Sequence, residues 1–361
     1  MAERQSLLKS IATKKGLQVL IDATKEQYRP VIWPNFFSWR DTDSITYETI
    51  IGESGPGAAA SVVSFNSAAP LRTRRHVKTL AGEIPSLRQK FQMDEKKMQE
   101  YLRLSARADG SQKTLLQLIY DDVKMSAEAP HRRLDFMTLQ ALSTGQIVLD
   151  TTNNPDGIVT ESAIDFGMPD KNKVKATAKW SVPATSKPIT DILAIVEAAD
   201  AVGVTFDRIM MRRAKFNQLR KSDEVKEYIG SWAVGKNTAK VNVSLEMVNE
   251  YLVGEDLPKI VIVTASIGIE KNGILTQINP WDADNVTFVP AGGMGEMLNA
   301  PIVEKAFPQE HVAYAEYNKV LLKKWGDTDP VAEYTGCELN AFPSWKNVDQ
   351  CYILDTEELA A

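Results

Sequence analysis

Three histidines, two cysteines and a few carboxylate pairs are the residues of this chain with the chemistry for catalysis or metal binding. A serine nucleophile of the GxSxG kind needs a sharp turn between small residues. Ser54 has Gly52 two positions before it, but Pro56 stands where the second glycine belongs. Phosphate cradles need glycines spaced as GxxxxGK[ST] or GxGxxG. The stretch "AGGMGEM" carries Gly292, Gly293 and Gly295 in neither pattern and reads as a turn after a strand. There is no HExxH, and His76, His131 and His311 are far apart among unlike neighbours, which is not metal-ligand spacing. Asp121 with Asp122 and Asp327 with Asp329 fall on a polar helix face and in a turn, where solvation is the default. Cys337 and Cys351 form no CxxC and read as two buried, reduced thiols. The expectation is a chain with no catalytic residue, no metal and no cofactor.

Two basic clusters are the next candidates. One is "RTRRHVK", with Arg72, Arg74, Arg75 and Lys78. The other is "RIMMRRAKFNQLRKSDEVKEYI", with Arg208, Arg212, Arg213, Lys215, Arg220 and Lys221 followed at once by Asp223, Glu224 and Glu227. A helix that reads a DNA groove needs one continuous positive face and a helix-turn-helix partner. Neither is visible, and the reading is a solvated helix laced with ion pairs. The totals agree: 42 basic against 47 acidic residues leave a net charge of −5, the wrong sign for a chain that coats phosphate. With 361 residues, 43% hydrophobic and 25% charged, the composition is that of an ordinary globular protein of two or three units. The charged N-terminus lacks the apolar core of a secretory signal, and no run reaches the ~20 apolar residues of a spanning helix. Synthesis in the cytosol is expected.

These residues are carried by elements that the pattern of the chain predicts. Residues 1–30 read as an amphipathic arm. "PVIWPNFFSWRD" then crowds Trp33, Phe36, Phe37 and Trp39 between prolines, and these rings must dock on the body of the chain or on a neighbour. "SITYETIIG" alternates as a strand. Residues 53–90, rich in Gly, Ala, Ser and Pro, read as a long excursion that rejoins the body. From Met93 to about Leu142 the periodicity is helical, with Asp109-Gly110 separating a short helix from a long one over 112–143. Pro130 predicts a kink or a break near Ala129. "NNPDG" predicts the turn of a hairpin, and Thr190 an N-cap with Gly203 closing the same helix. A strand over "VTFDRIMM" leads into one helix over "RRAKFNQLRKSDEVKEYI". Asn272-Gly273 predicts a tight hairpin, and strands return to the C-terminus. The class is α+β.

The order of these parts resembles the major capsid proteins of tailed bacteriophages with the Hong Kong-97 fold, most closely the lambda-type group, the major capsid protein E family. "ITDILAIVEAADAVGVTFDRIMMRRAKFNQLRKSDEVKEYI" is similar to the helix–strand–helix of that family's axial domain. "KIVIVTASIGIEKNGILTQINPWDADNVTFVPAG" resembles its Asn-Gly hairpin and valine-rich strand, and "KKWGDTDPVAEYTGCELNAFPSWKNVDQCYIL" its closing strands. The resemblance implies an N-terminal arm (1–45), an extended loop with flanking strands (46–92), a peripheral domain with a long spine helix (93–185 and 318–361) and an axial domain (186–317). It implies a structural protein that forms hexamers and pentamers of an icosahedral shell around double-stranded DNA. Scaffolding protein, portal and decoration protein are the implied partners, with no membrane. Location is the virion, with assembly in the bacterial cytoplasm. By the same resemblance Trp33, Phe36, Phe37, Trp39, Arg72, Arg74, Arg75, Lys78, Arg212 and Arg213 become candidates for contact between subunits. An encapsulin-like compartment shell and an enzyme without a recognisable motif are the alternatives.

Overall fold

The computed structural model describes residues 18, 30–52, 77–105, 112–155, 162–234 and 242–359. In chain order the elements are β1 (Phe37–Asp41), β2 (Thr46–Gly52), β3 (Val77–Glu83), β4 (Ser86–Asp94), α1 (Glu95–Ser105), α2 (Gln112–Thr144), β5 (Gln146–Leu149), β6 (Ser162–Asp165), β7 (Lys173–Ala176) and α3 (Pro188–Asp200). There follow β8 (Phe206–Arg212), α4 (Arg213–Leu219), α5 (Asp223–Val234), α6 (Leu245–Gly254), β9 (Lys259–Val263), β10 (Ile267–Lys271), β11 (Ile274–Ile278) and β12 (Asn285–Pro290). The chain ends with β13 (Gly295–Asn299), α7 (Val303–Ala306), β14 (Ala313–Tyr317), β15 (Val320–Thr328), β16 (Val331–Trp345) and β17 (Tyr352–Leu359). Strands β2 and β3 pair with each other. The basic cluster Arg72, Arg74 and Arg75 and the strand-like "SVVSF" lie outside the described residues.

The chain packs as two units, one of Met1–Tyr47, Ala81–Asp135 and Glu296–Ser344, the other of Glu48–Leu80, Phe136–Gly295 and Trp345–Ala361. The first is built on a six-stranded sheet in the order β1-β13-β16-β15-β14, with β4 also on β16. The ladders of β14 with β15, β15 with β16 and β16 with β4 are antiparallel. β14 and β15 meet through Asn318 and Lys319, both at positive φ (43° and 71°), the geometry of a two-residue hairpin whose twist suits the strands. The middle strand β16 is buried along most of its length, and its two buried glutamates, Glu333 and Glu338, have lysine partners on β15. Glu338 accepts from Arg88 on β4 at 2.7 Å and from Lys323 on β15 at 2.5 Å, and Lys323 reaches on to Glu304 at 2.7 Å. The charges alternate along the row, which is how a buried carboxylate is tolerated.

The second unit holds a five-stranded sheet, β7-β17-β12-β8-β9. β12 is antiparallel to β17 and β8, whereas β8 with β9 and β17 with β7 are parallel. A parallel pair needs a crossover, and α4, α5 and α6 supply it between β8 and β9. Ile192 and Ile195 of α3 and Phe216, Val225, Ile229, Val248 and Leu252 of these helices carry their apolar stripes into one core with Ile209, Phe288 and Leu354 of the sheet. The end of α2 is finished here. Gly145 at φ 75° turns its N–H to Ala141 O at 2.7 Å. Asn285 Nδ2 donates to Ser143 O at 2.8 Å and Thr287 Oγ1 to Leu142 O at 2.9 Å, so carbonyls the helix cannot satisfy find donors.

Several expectations need correction. α2 runs unbroken through Pro130. The missing N–H costs one helical bond, and the burial of Ala127, Leu134 and Met137 on either side holds the helix together. The helical stretch expected from Met93 starts two residues later, because β4 runs through Asp94. The helix predicted over 212–229 is two, Arg212 closing β8 and the division falling at Ser222, which is wholly buried and donates to Ser186 O at 3.1 Å. Helix α3 begins at Pro188 with Lys187 at the N-cap, so Thr190 is inside it. The Asn272-Gly273 hairpin is as expected, with φ 52° and 78° and Lys271 paired to Ile274.

Candidate functional site

The aromatic entry and the basic run are the two places where this chain concentrates unusual residues. A short 3-10 turn at Trp33–Asn35 lays the entry against α2. Asp135 of that helix accepts the backbone N–H groups of Ile32 and Trp33, both at 2.8 Å. The Trp33 ring lies parallel to His131 with centroids 6.0 Å apart, and Trp39 meets Trp33 edge-on at 4.7 Å. Trp39 Nε1 donates to Asn318 Oδ1 at 3.2 Å, and Tyr317 closes the cluster edge-on to His131 at 6.4 Å. Trp33, Phe36 and Phe37 are buried within the chain itself and Trp39 is half-buried. Of the two docking places open to these rings, the chain's own body takes them.

This packing sets the electrostatics. Burial pushes His131 down to about 4, and an approach to the Asn318 backbone offsets only part of that. Neither ring nitrogen has a hydrogen bond of normal geometry. The imidazole is neutral near pH 7 and walled in by rings, so it serves as packing. Asp135 is pushed up to about 6 by burial, against the pull of its two backbone hydrogen bonds and of Arg132.

The basic run separates into unlike environments. Arg212, last in β8, donates to the backbone carbonyls of Asn279 (2.9 Å) and Trp281. Arg213 is exposed at the first position of α4. Lys215 is 1% exposed, with Nζ 3.1 Å from both Asp284 Oδ1 and Glu357 Oε1. Burial works against the Glu357 charge, but hydrogen bonds from Ser181 and Lys215 hold its pKa below the usual carboxylate value. No continuous positive face arises from these three. Lys78 falls in β3 with its side chain outside the described residues, as are Arg72, Arg74 and Arg75.

Among the described residues, no three His, Cys, Asp or Glu side chains gather as for a metal ion, and no helix is long and apolar enough to cross a membrane. The two cysteines are free and buried. Burial raises Cys337 to about 12 and Cys351 well above the usual thiol value, which keeps both unreactive. His311, Asp327 and Asp329 are exposed.

Residue patterns missed three groups that organise the second unit: Lys215, Asp191 and Glu224. Asp191 accepts from Thr177 Oγ1 at 2.6 Å and from the buried Trp180 Nε1 at 2.9 Å. Glu224 accepts the Ile189 N–H at 2.8 Å and Thr190 Oγ1 at 2.5 Å, standing in for the cap that α3 lacks. In the sequence Glu224 reads only as one of the acids that follow the basic run within a single predicted helix.

The chain matches the family model described as phage major capsid protein E over residues 21–356. No curated protein matches it. Among solved structures, a prophage protein of E. coli CFT073 described as a capsid protein is similar at 15% identity, with a TM-score of 0.57 over 96% of this chain and 99% of that one. A phage-related protein from Bordetella bronchiseptica RB50 is also 15% identical, with a TM-score of 0.51 over 95% and 98% of the two chains. At that identity the likeness speaks for the fold, and it extends over nearly the whole chain. By family and by fold, this chain belongs to the phage major capsid protein E family and has the Hong Kong-97 type of capsid fold.

Proposed function

We propose that this chain is the head protein that closes into hexamers and pentamers of an icosahedral shell around the double-stranded DNA of a phage, acting as structure and without turnover. The observation that carries this reading is the family match over residues 21–356. The surface supports it. Ile274 and Leu275 at the tip of the β10–β11 hairpin are 70% and 62% exposed, and Val303 and Phe307 beside α7 are each 72% exposed. Large apolar side chains in such positions fit a protein that completes its burial on other chains. The genome is enclosed without being read, since the net charge of −5 and the divided basic run provide no groove-reading face.

In this reading residues 1–45 act as arm and 46–92 as extended loop. Residues 93–185 with 318–361 form the peripheral domain around α2, and 186–317 the axial domain. The cluster Arg72, Arg74, Arg75 and Lys78 and the exposed Arg213 face neighbouring subunits. Scaffolding protein, portal and a decoration protein are the partners, and assembly takes place in the bacterial cytoplasm.

Electron microscopy of the purified chain, beside light scattering for mass, tests the reading. Closed shells, or rings of five and six, are expected, with neighbouring genes co-expressed where a scaffold is needed. A chain that stays monomeric at high concentration even with those partners overturns it.

A further inference from the structure

The second unit carries exposed aromatic rings and exposed acids on α5 and α6, and exposed cations that precede α5 in the chain. Tyr228 and Trp232 on α5 are 42% and 49% exposed. Both lean edge-on against Tyr251 of α6, with centroids 6.2 and 6.3 Å away, so the three rings form one patch. Exposed on the same two helices and the turn after α6 are Asp223, Glu227, Glu246, Glu250, Glu255 and Asp256. The cation among them, Lys226, is already paired with Asp223 at 3.0 Å. Glu255 caps the C-terminal end of α6, and Asp256 beside it adopts a positive φ of 56°. Carboxylates at a helix C-terminus are opposed by the field of the helix. A cation brought from outside relieves that repulsion.

The cations lie at the opposite end of α5 from Trp232, where Asp223 also stands. Arg213 and Lys221 are exposed at the two ends of the α4 segment, and Lys187 is exposed one residue from Ser186. The hydrogen bond from Ser222 Oγ to Ser186 O at 3.1 Å draws Lys187 and Lys221 to one place. Lys221 precedes α5, and Trp232 lies about 14 Å of helical rise beyond the first residue of that helix, so one copy cannot close the two places on each other.

We infer that the Tyr228–Trp232–Tyr251 patch of one copy docks on Lys187, Arg213 and Lys221 of the next copy, head to tail. Aromatic rings with acids around them suit a surface that offers cations and lysine or arginine stems. A contact between two different faces of one chain is heterologous, and repeated by rotation it closes a ring. The inference rests on the shell-building reading and names the surface through which subunits of one ring meet.

The full-length chain and four variants test it, each checked for native circular dichroism and melting. Trp232→Ser, Glu255→Lys and Lys221→Glu each lower the assembled fraction about ten-fold at fixed protein concentration. Lysine suits a helix C-terminus, so Glu255→Lys leaves the fold intact. The double variant Glu255→Lys with Lys221→Glu regains at least half of the assembly, because the charges are exchanged across the contact. If wild-type protein assembles and the three single variants assemble equally well, the contact is overturned and the patch belongs to a protein other than this chain. Single variants that fail without rescue by the double overturn the charge pairing. A wild-type chain that does not assemble even with the neighbouring genes co-expressed overturns the shell-building reading itself.

Discussion

His131 and Asp135 are one helical turn apart on α2, and burial shifts them in opposite directions, to about 4 and about 6. Each shift is a stability statement. The unfolded histidine takes its proton near pH 6.5 while the folded one resists, so stability falls as pH drops from about 6.5 to about 4, by about 3 kcal/mol. The folded aspartate takes its proton near pH 6 and the unfolded one near 3.8, so stability rises as pH falls across that window, again by about 3 kcal/mol. In the wild-type chain the two slopes offset. Asp135→Asn leaves the histidine slope alone. Between about pH 7 and pH 4 the variant is expected to lose about 3 kcal/mol more than wild type in urea unfolding of the unassembled chain. Parallel pH profiles for the two proteins would sink the account. His131→Phe tilts the balance the other way.

At the scale of elements, helix α3 depends on a residue from another helix. Proline at its first position lacks an N–H, and Lys187 before it provides no side-chain cap. Glu224 of α5 receives the Ile189 N–H and the Thr190 hydroxyl instead. Glu224→Ala is expected to cost about 1–2 kcal/mol, the range for a lost N-cap with a buried donor left behind. Glu224→Gln, which can still accept, costs less. Thermal melts that place alanine and glutamine together would argue against the cap. Pro130 teaches a related point: a local breaker is overridden when the helix on both sides of it is buried.

For the whole molecule, two adjacent arginines divide folding from assembly. Arg212 donates to the carbonyls of Asn279 and Trp281 and belongs to the interior, whereas Arg213 faces outward. Arg212→Glu is expected to lower the melting temperature by several degrees, the effect of about 1–2 kcal/mol in a chain of this size. Arg213→Glu is expected to leave melting unchanged and to reduce assembled mass in sedimentation. Neither changes the salt dependence of any DNA binding. Equal behaviour of the two variants in both assays would remove the distinction.

Local rules carried much of this in the linear chain. The Asn272-Gly273 hairpin, the glycine after α3 and the alternation of strands depend on a few adjacent residues, and there the pattern and the fold agree. The order of these elements, an aromatic entry, a glycine-rich excursion, a long helix and a crossed sheet, was enough to place the chain among phage capsid proteins. Folding in three dimensions decided the rest. That Trp33 docks on the chain's own His131, that Lys215 is interior between Asp284 and Glu357, and that Glu224 rather than Thr190 serves α3 all join residues far apart in the chain. A side chain's type says what it can bond to. Which partner it meets depends on how distant segments pack, and no short-range period encodes that.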